Sequence, residues 1–325
     1  MQATNREKKI RKGIIWNLLS YVFLAMFTLG AYVLIKWKYG EEGLGAYNIV
    51  MSIFLICGQL GVFGLQSASM YYVPQQDNPQ KLGKVFSSFL FVSFIMGTII
   101  GGIVFVSADW IGNSVFSSQL VVVGLKKLPF AIILFSMNKT IVSYVNALGN
   151  MIGFAVLQNL RYFGLVVSIS IIILLKAQYV FIFYAFLLSE IFVFFVGILY
   201  IIRVIAIKFP EIYWMRQGIR FGKSAMLGNV VSDINTKVDV IMLGILCGDK
   251  YVGLYSFIAL IIEGLLSILL VFRNNYNPLF SSLIYQRKIE EVRLVYIKLR
   301  KKMWLLFGIF SIMILLGYGL FCRLF

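Results

Sequence analysis

The chain has 325 residues, a formal net charge of +17 and no histidine, and 60% of it is hydrophobic against 13% charged. A soluble chain of that length carries about 25% charged residues, so the composition excludes an ordinary soluble protein and points to a polytopic membrane protein. The missing histidine excludes imidazole metal sites and imidazole proton relays.

Apolar runs of about 20 residues predict nine membrane spans, near 13–35, 43–66, 84–108, 126–147, 152–175, 179–202, 225–247, 252–274 and 303–322. The fold class expected is therefore all-α, a polytopic helix bundle. The first span follows REKKIRKG and has no small-x-small cleavage site, so it reads as a retained signal anchor. The polar stretches between spans, at the N-terminus, 67–84, 203–224 and 277–302, are too small to bury cores of their own. With the N-terminus placed in the cytoplasm, nineteen Lys and Arg fall on that side and five on the other. That asymmetry predicts a cytoplasmic N-terminus and a multi-pass protein of the inner (plasma) membrane. It also explains the basic charge without nucleic acid.

In the first loop, GEEGLGAY at 40–47 has a counterpart in GDKYVGLY at 248–255. Both read G-x-x-x-x-G-x-Y, both follow a long span and both open the next. The offset of 208 residues encloses six spans, which gives two lobes of parallel topology. The domains expected are a six-helix lobe over 1–208 and a partial lobe of three helices over 209–325. A second full copy would run to about residue 416, past Phe325, so the sequence is expected to be a fragment.

Several spans carry charge. In the fourth, Lys139 aligns with Ser136, Ser143 and Asn146; in the fifth, Arg161 lies near Gln158 and Ser168. In the seventh, an unbroken helix puts Asn229, Asp233, Thr236 and Lys237 on one face, flanked by Ser232, Asn235 and Asp239. In the eighth, Ser256, Glu263, Ser267 and Asn274 fall on nearly one line. A charge at mid-bilayer costs at least about 2.5–3.5 kcal/mol and normally faces a bundle interior or a wet cavity. One arrangement pairs the charges as ties, Asp233 with Lys237, Arg161 with Glu190, and Arg273 with Glu263. The other is a hydrated cavity, favoured because Lys139 has no partner assignable from sequence. A cavity with Lys139, Arg161, Lys237 and Arg273 in its wall suits an anionic cargo. Asp233, Asp239, Glu263 and Glu190 then become candidates for ion coupling or gating, with Asn146, Asn229 and Asn235 as polar lining. The sequence holds no Walker loop, zinc spacing or nucleophile elbow. Neither a cofactor nor a metal is expected, and no enzymatic activity. Cys57, Cys247 and Cys322 sit singly in or beside apolar runs and imply neither disulfide nor metal.

The run GNVVSDINTKVDVIMLGILCGDKYVGLYSFIALIIEGLL resembles the seventh and eighth helices of bacterial polysaccharide flippases. These belong to the multidrug/oligosaccharidyl-lipid/polysaccharide transporter superfamily, the O-antigen and teichuronic-acid exporters among them. GEEGLGAYNIV and YVNALGN are similar to the same family. The resemblance implies two six-helix lobes around a central cavity, a polyprenyl-pyrophosphate-linked oligosaccharide as cargo, and alternating access. It implies as partners the lipid-linked oligosaccharide, membrane lipids and polysaccharide assembly proteins. The alternatives are a cation-coupled multidrug antiporter of the same superfamily and a membrane polysaccharide polymerase or ligase. Against the latter, the longest outer loop, near 109–125, is short and nearly uncharged.

Overall fold

The computed structural model describes residues 2–76, 78–264 and 288–324, and among them every regular element is helical. The chain forms two compact units, residues 15–268 and residues 1–14 with 269–325. The larger unit carries the charged spans 139–263 and is described first.

The first element, α1 (Gln2–Val62), enters this unit at residue 15 and is two helices joined by a kink at Gly40, whose φ of 74° and ψ of −171° no L side chain adopts comfortably. The apolar part, Leu19–Val62, is 44 residues long, about 66 Å of helix at 1.5 Å per residue and twice a bilayer's hydrocarbon thickness. The break folds it into a hairpin. The first arm climbs along α6 (Met151–Leu174), with Phe27 edge-on to Phe163 and the Tyr39 hydroxyl donating to the Ala177 carbonyl at 3.1 Å. The second arm returns from Gly43, whose carbonyl accepts from the Tyr179 hydroxyl at 2.6 Å, down to Gly61 beside Ser136. Two of the expected spans are thus the arms of one kinked element.

The following elements are α2 (Leu65–Tyr72), α3 (Pro79–Trp110), α4 (Gln119–Lys127), α5 (Pro129–Ala147), α6 and α7 (Tyr184–Val204). Together with the α1 hairpin, α3, α5, α6 and α7 are long and apolar enough to cross a membrane. They close on an aromatic core in which Tyr47 stacks on Phe186 at 5.1 Å and Phe54 meets Phe135 edge-on at 5.0 Å. Lipid provides no hydrophobic drive between helices, so close approach relies on small residues. Accordingly Gly97 and Gly101 of α3 lie directly on Ile133 and Pro129 of α5.

The expected seventh span departs most from its sequence reading. Residues 225–247 do not form one helix: α8 (Ile212–Asn235) ends there and α9 (Val238–Cys247) begins after a break at Thr236 and Lys237. The Thr236 hydroxyl donates to the Asp233 carbonyl at 2.8 Å, and the backbone N–H of Thr236 and Lys237 bond only three residues back. Side-chain competition for backbone carbonyls of this kind ends helices. After α9 the chain is helical again over 249–264, here α10.

The two G-x-x-x-x-G-x-Y segments have one geometry. Gly248 repeats the conformation of Gly40, with φ 83° and ψ 177°. They also pack reciprocally: a Cβ on Gly45 would overlap the Asp249 carbonyl, and one on Gly253 would overlap the Glu41 carbonyl. Each of these residues is 208 positions from its counterpart. Asn48 Nδ2 donates to Ser256 Oγ at 2.7 Å, again across 208 residues. The two segments therefore meet around a local two-fold relation.

In the smaller unit, α11 covers Ile289–Leu324. It contains the span expected at 303–322 and begins fourteen residues before it (303 − 289). Arg273, Ser267 and Asn274 lie outside the described residues.

Candidate functional site

A cavity of about 400 Å³ opens in the larger unit between α2, α5 and α6. From α5 come Lys139, Ser143 and Asn146, spaced one turn apart so that they fall on one face. From α6 come Gln158 and Arg161, and from α2 come Gln66, Ser67 and Met70. Two expected cations, Lys139 and Arg161, and the expected Asn146 thus share one wall.

Arg161 also makes the ion pair foreseen with Glu190. Its Nε lies 2.5 Å from Glu190 Oε1 and its Nη2 donates to Oε2 at 3.3 Å. The shorter contact is not aligned along N–H, so the directional bond is the Nη2 one. Asn138 Nδ2 donates to Oε2 at 2.7 Å and to the Glu190 carbonyl at 2.8 Å. Glu190 is fully buried, whereas Arg161 keeps 8% exposure at the cavity wall. The carboxylate sits behind the guanidinium, so the surface that faces the cavity is cationic although the pair is neutral. Arg161 also lies over the Phe135 ring, 4.4 Å from its centroid.

Lys139 makes no ion pair among the described residues, and its Nζ stands 5.6 Å from the Phe135 centroid. The charges acting on it are Asp233, Arg161 and Glu190. Asp233 in turn feels Lys139 and Lys237. It is half-buried on α8, between two cations and bridged to neither.

The expected Asp233–Lys237 pair does not form. Lys237 sits at the α8–α9 break and bonds Glu263 of α10 instead. A continuous helix would make residues four apart neighbours; with the break, Lys237 bonds α10 and stays close enough to Asp233 only to be felt by it. Arg273, the expected partner of Glu263, lies outside the described residues. Asp239 accepts from the Tyr255 hydroxyl at 2.5 Å and ties α9 to α10. Asn229 donates to Ser67 Oγ at 3.1 Å and so fixes α8 to the cavity wall. Asn235 is exposed at the C-terminal end of α8 and is not among the cavity-lining residues. Ser136 turns inward to the Ile132 and Gly58 carbonyls rather than into the cavity.

The α2 contribution escaped the sequence reading. Residues 67–84 read as a polar connection, yet 65–72 form a helix with Gln66, Ser67 and Met70 on one side. Asn138 was likewise overlooked, because its polar atoms point away from the Lys139 stripe toward α7.

The sequence model of the family described as polysaccharide biosynthesis protein matches residues 10–284. A comparison with curated protein sequences gives no match. Among solved structures, a MATE transporter in a straight conformation is similar at TM-score 0.72 and 17% identity, covering 98% of this chain and 75% of that one. The same transporter class in complex with MaD5 gives TM-score 0.72 and 17% identity, with 98% and 76% covered. A MOP-superfamily transporter from Pyrococcus furiosus, described as having a binding pocket of reversed polarity, gives TM-score 0.66 and 16% identity, with 90% and 68% covered. The chain is a multi-pass membrane protein with the fold of this transporter superfamily.

Proposed function

We propose, from the premise that this chain belongs to the polysaccharide biosynthesis protein family, that it carries a polyprenyl-pyrophosphate-linked oligosaccharide from the inner to the outer leaflet. The observation that supports this reading is the cationic wall of the cavity. Lys139 and Arg161 face the same space, while the carboxylate that balances Arg161 is buried behind it. Phosphate oxygens gain both charge and hydrogen bonds from such a pair. Gln158, Asn146 and Ser143 add neutral donors and acceptors.

On this reading the chain acts by transport and not by catalysis. The N-terminus then lies in the cytoplasm and the chain in the inner membrane, a placement the distribution of Lys and Arg supports. Residues 1–208 and 209–325 then belong to two lobes of parallel topology. The reciprocal packing of the segments at 40–48 and 248–256 supports that division. Asp233, set between Lys139 and Lys237, is the carboxylate best placed to respond to cargo charge. Glu263, bonded to Lys237, is the next.

A multidrug antiporter is the competing reading, since MATE structures share the fold. A cationic drug would meet Lys139 and Arg161 as like charges, which disfavours it. The test is surface-polysaccharide export in cells that depend on this chain, comparing wild type with the triple variant Lys139→Ala, Arg161→Ala, Lys237→Ala. Loss of export at normal membrane abundance is expected. Normal export by the folded triple variant would remove the cavity from the mechanism.

A further inference from the structure

The helix that supplies Gln66, Ser67 and Met70 to the cavity also carries an aromatic surface that phosphate binding leaves unused. Ser67, in the cavity wall, is followed one helical turn later on α2 by Tyr71. The Tyr71 ring lies nearly parallel to Phe221 of α8, with centroids 5.0 Å apart at 19°. Phe221 covers one face of that ring, yet Tyr71 remains 51% exposed, so its other face is open.

The ring is also held in place. Tyr72 meets Tyr71 edge-on at 4.9 Å and Phe221 at 5.9 Å. Tyr72 is itself fixed by its hydroxyl, which donates to Gln217 Oε1 at 3.3 Å, and by the buried Trp214 at 6.0 Å. An interfacial tyrosine that only anchors a helix needs no such backing. A rigid aromatic face loses little entropy on binding and offers its negative π surface to weakly positive C–H groups. The face of a pyranose presents C–H groups of that kind, and its hydroxyls match the mixed donors and acceptors of Gln66, Ser67 and Asn146 nearby.

We propose that Tyr71, backed by Phe221, is the platform for the sugar ring attached directly to the cargo's phosphate. The ligand class of the cavity is then a glycosyl phosphate and not a lipid phosphate alone. This inference rests on the reading of Lys139 and Arg161 as the phosphate site.

The experiment is calorimetric titration of the purified full chain with two phosphate monoesters of equal charge, methyl phosphate and glucose 1-phosphate. Wild type is expected to bind glucose 1-phosphate about fivefold more tightly, which is ~1 kcal/mol. Tyr71→Phe keeps that advantage. Tyr71→Ala and Tyr71→Leu lose it while methyl phosphate binds as before, and Lys139→Ala weakens both ligands. Equal binding of the two esters by wild type overturns the platform and leaves the phosphate site standing, as does an advantage that survives in both Tyr71→Ala and Tyr71→Leu. If wild type binds neither ester, the phosphate reading fails and the platform with it.

Discussion

Replacing Glu190 with Met removes the carboxylate that balances Arg161 and leaves the guanidinium in place. The Arg161 side chain is 10% exposed and Glu190 is not exposed at all, so water cannot take over the lost interaction. At an effective dielectric near 20, unit charges ~4 Å apart attract by ~4 kcal/mol. Breaking a buried pair from one side costs about 3–5 kcal/mol by experiment elsewhere. Arg161→Met strands Glu190 in the same way and is expected to cost a similar amount. The double variant Arg161→Met, Glu190→Met strands nothing but Asn138 Nδ2, which keeps its bond to the residue-190 carbonyl. Its loss should therefore fall well short of the sum, leaving a coupling energy of about 2 kcal/mol or more. The assay is equilibrium unfolding of the purified protein in mixed micelles, read by circular dichroism. Additive single and double effects, within about 0.5 kcal/mol, would refute the pair as a buried tie.

Three further outcomes are expected. Gly253→Ala should push α10 away from the 40–45 segment, because its Cβ would overlap the Glu41 carbonyl and lie 2.8 Å from the carbonyl carbon. Cross-linking yield in an Asn48→Cys, Ser256→Cys background reports this, and an unchanged yield contradicts it. Asp249, at the loop end of α10, has its carboxyl raised above 3.8 by burial and by Glu42, against the lowering bond from Ser118 at 2.5 Å. A raised folded pKa means that stability is highest with the carboxyl protonated and falls as pH rises from about 3.8 through the folded value. Asp249→Asn should flatten that fall in a thermal-unfolding series across pH. Glu263→Gln leaves Lys237 without its anion while the lysine side chain is only 14% exposed. A loss of about 1–3 kcal/mol is expected in the same micelle assay, partly restored by exchanging the two residues.

The first six spans were legible because a bilayer imposes a length and a polarity that composition records directly. The Arg161–Glu190 tie stood in the sequence as one of two open arrangements, the less favoured one, and the structure joins it to the cavity rather than choosing between them. What the sequence concealed depends on backbone breaks and on direction. The wheel for 225–247 assumed regular helix, and the hydrogen bond from Thr236 to the Asp233 carbonyl ends it. That one break redirects Lys237 to Glu263 and leaves Asp233 between two lysines. Ser67 was hidden in a stretch that reads as a loop, and Gln66 at the end of the span before it, because eight residues are too few for a periodic signal. The motif echo, by contrast, said more than its length suggests. Its glycines sit where two backbones touch, and the partner of each position lies 208 residues away.

The central claim is that the cavity carries a phosphate-bearing lipid. Its most direct measurement is transbilayer movement in proteoliposomes that hold the purified chain and a fluorescent pyrophosphate-linked oligosaccharide. A membrane-impermeant quencher reports the outer-leaflet fraction. The account predicts that wild type exposes the whole labelled pool to quencher. Lys139→Ala should leave the inner half protected, while circular dichroism shows that it is folded. Full quenching by Lys139→Ala at the wild-type rate, or protection in wild-type vesicles equal to protein-free ones, would contradict it.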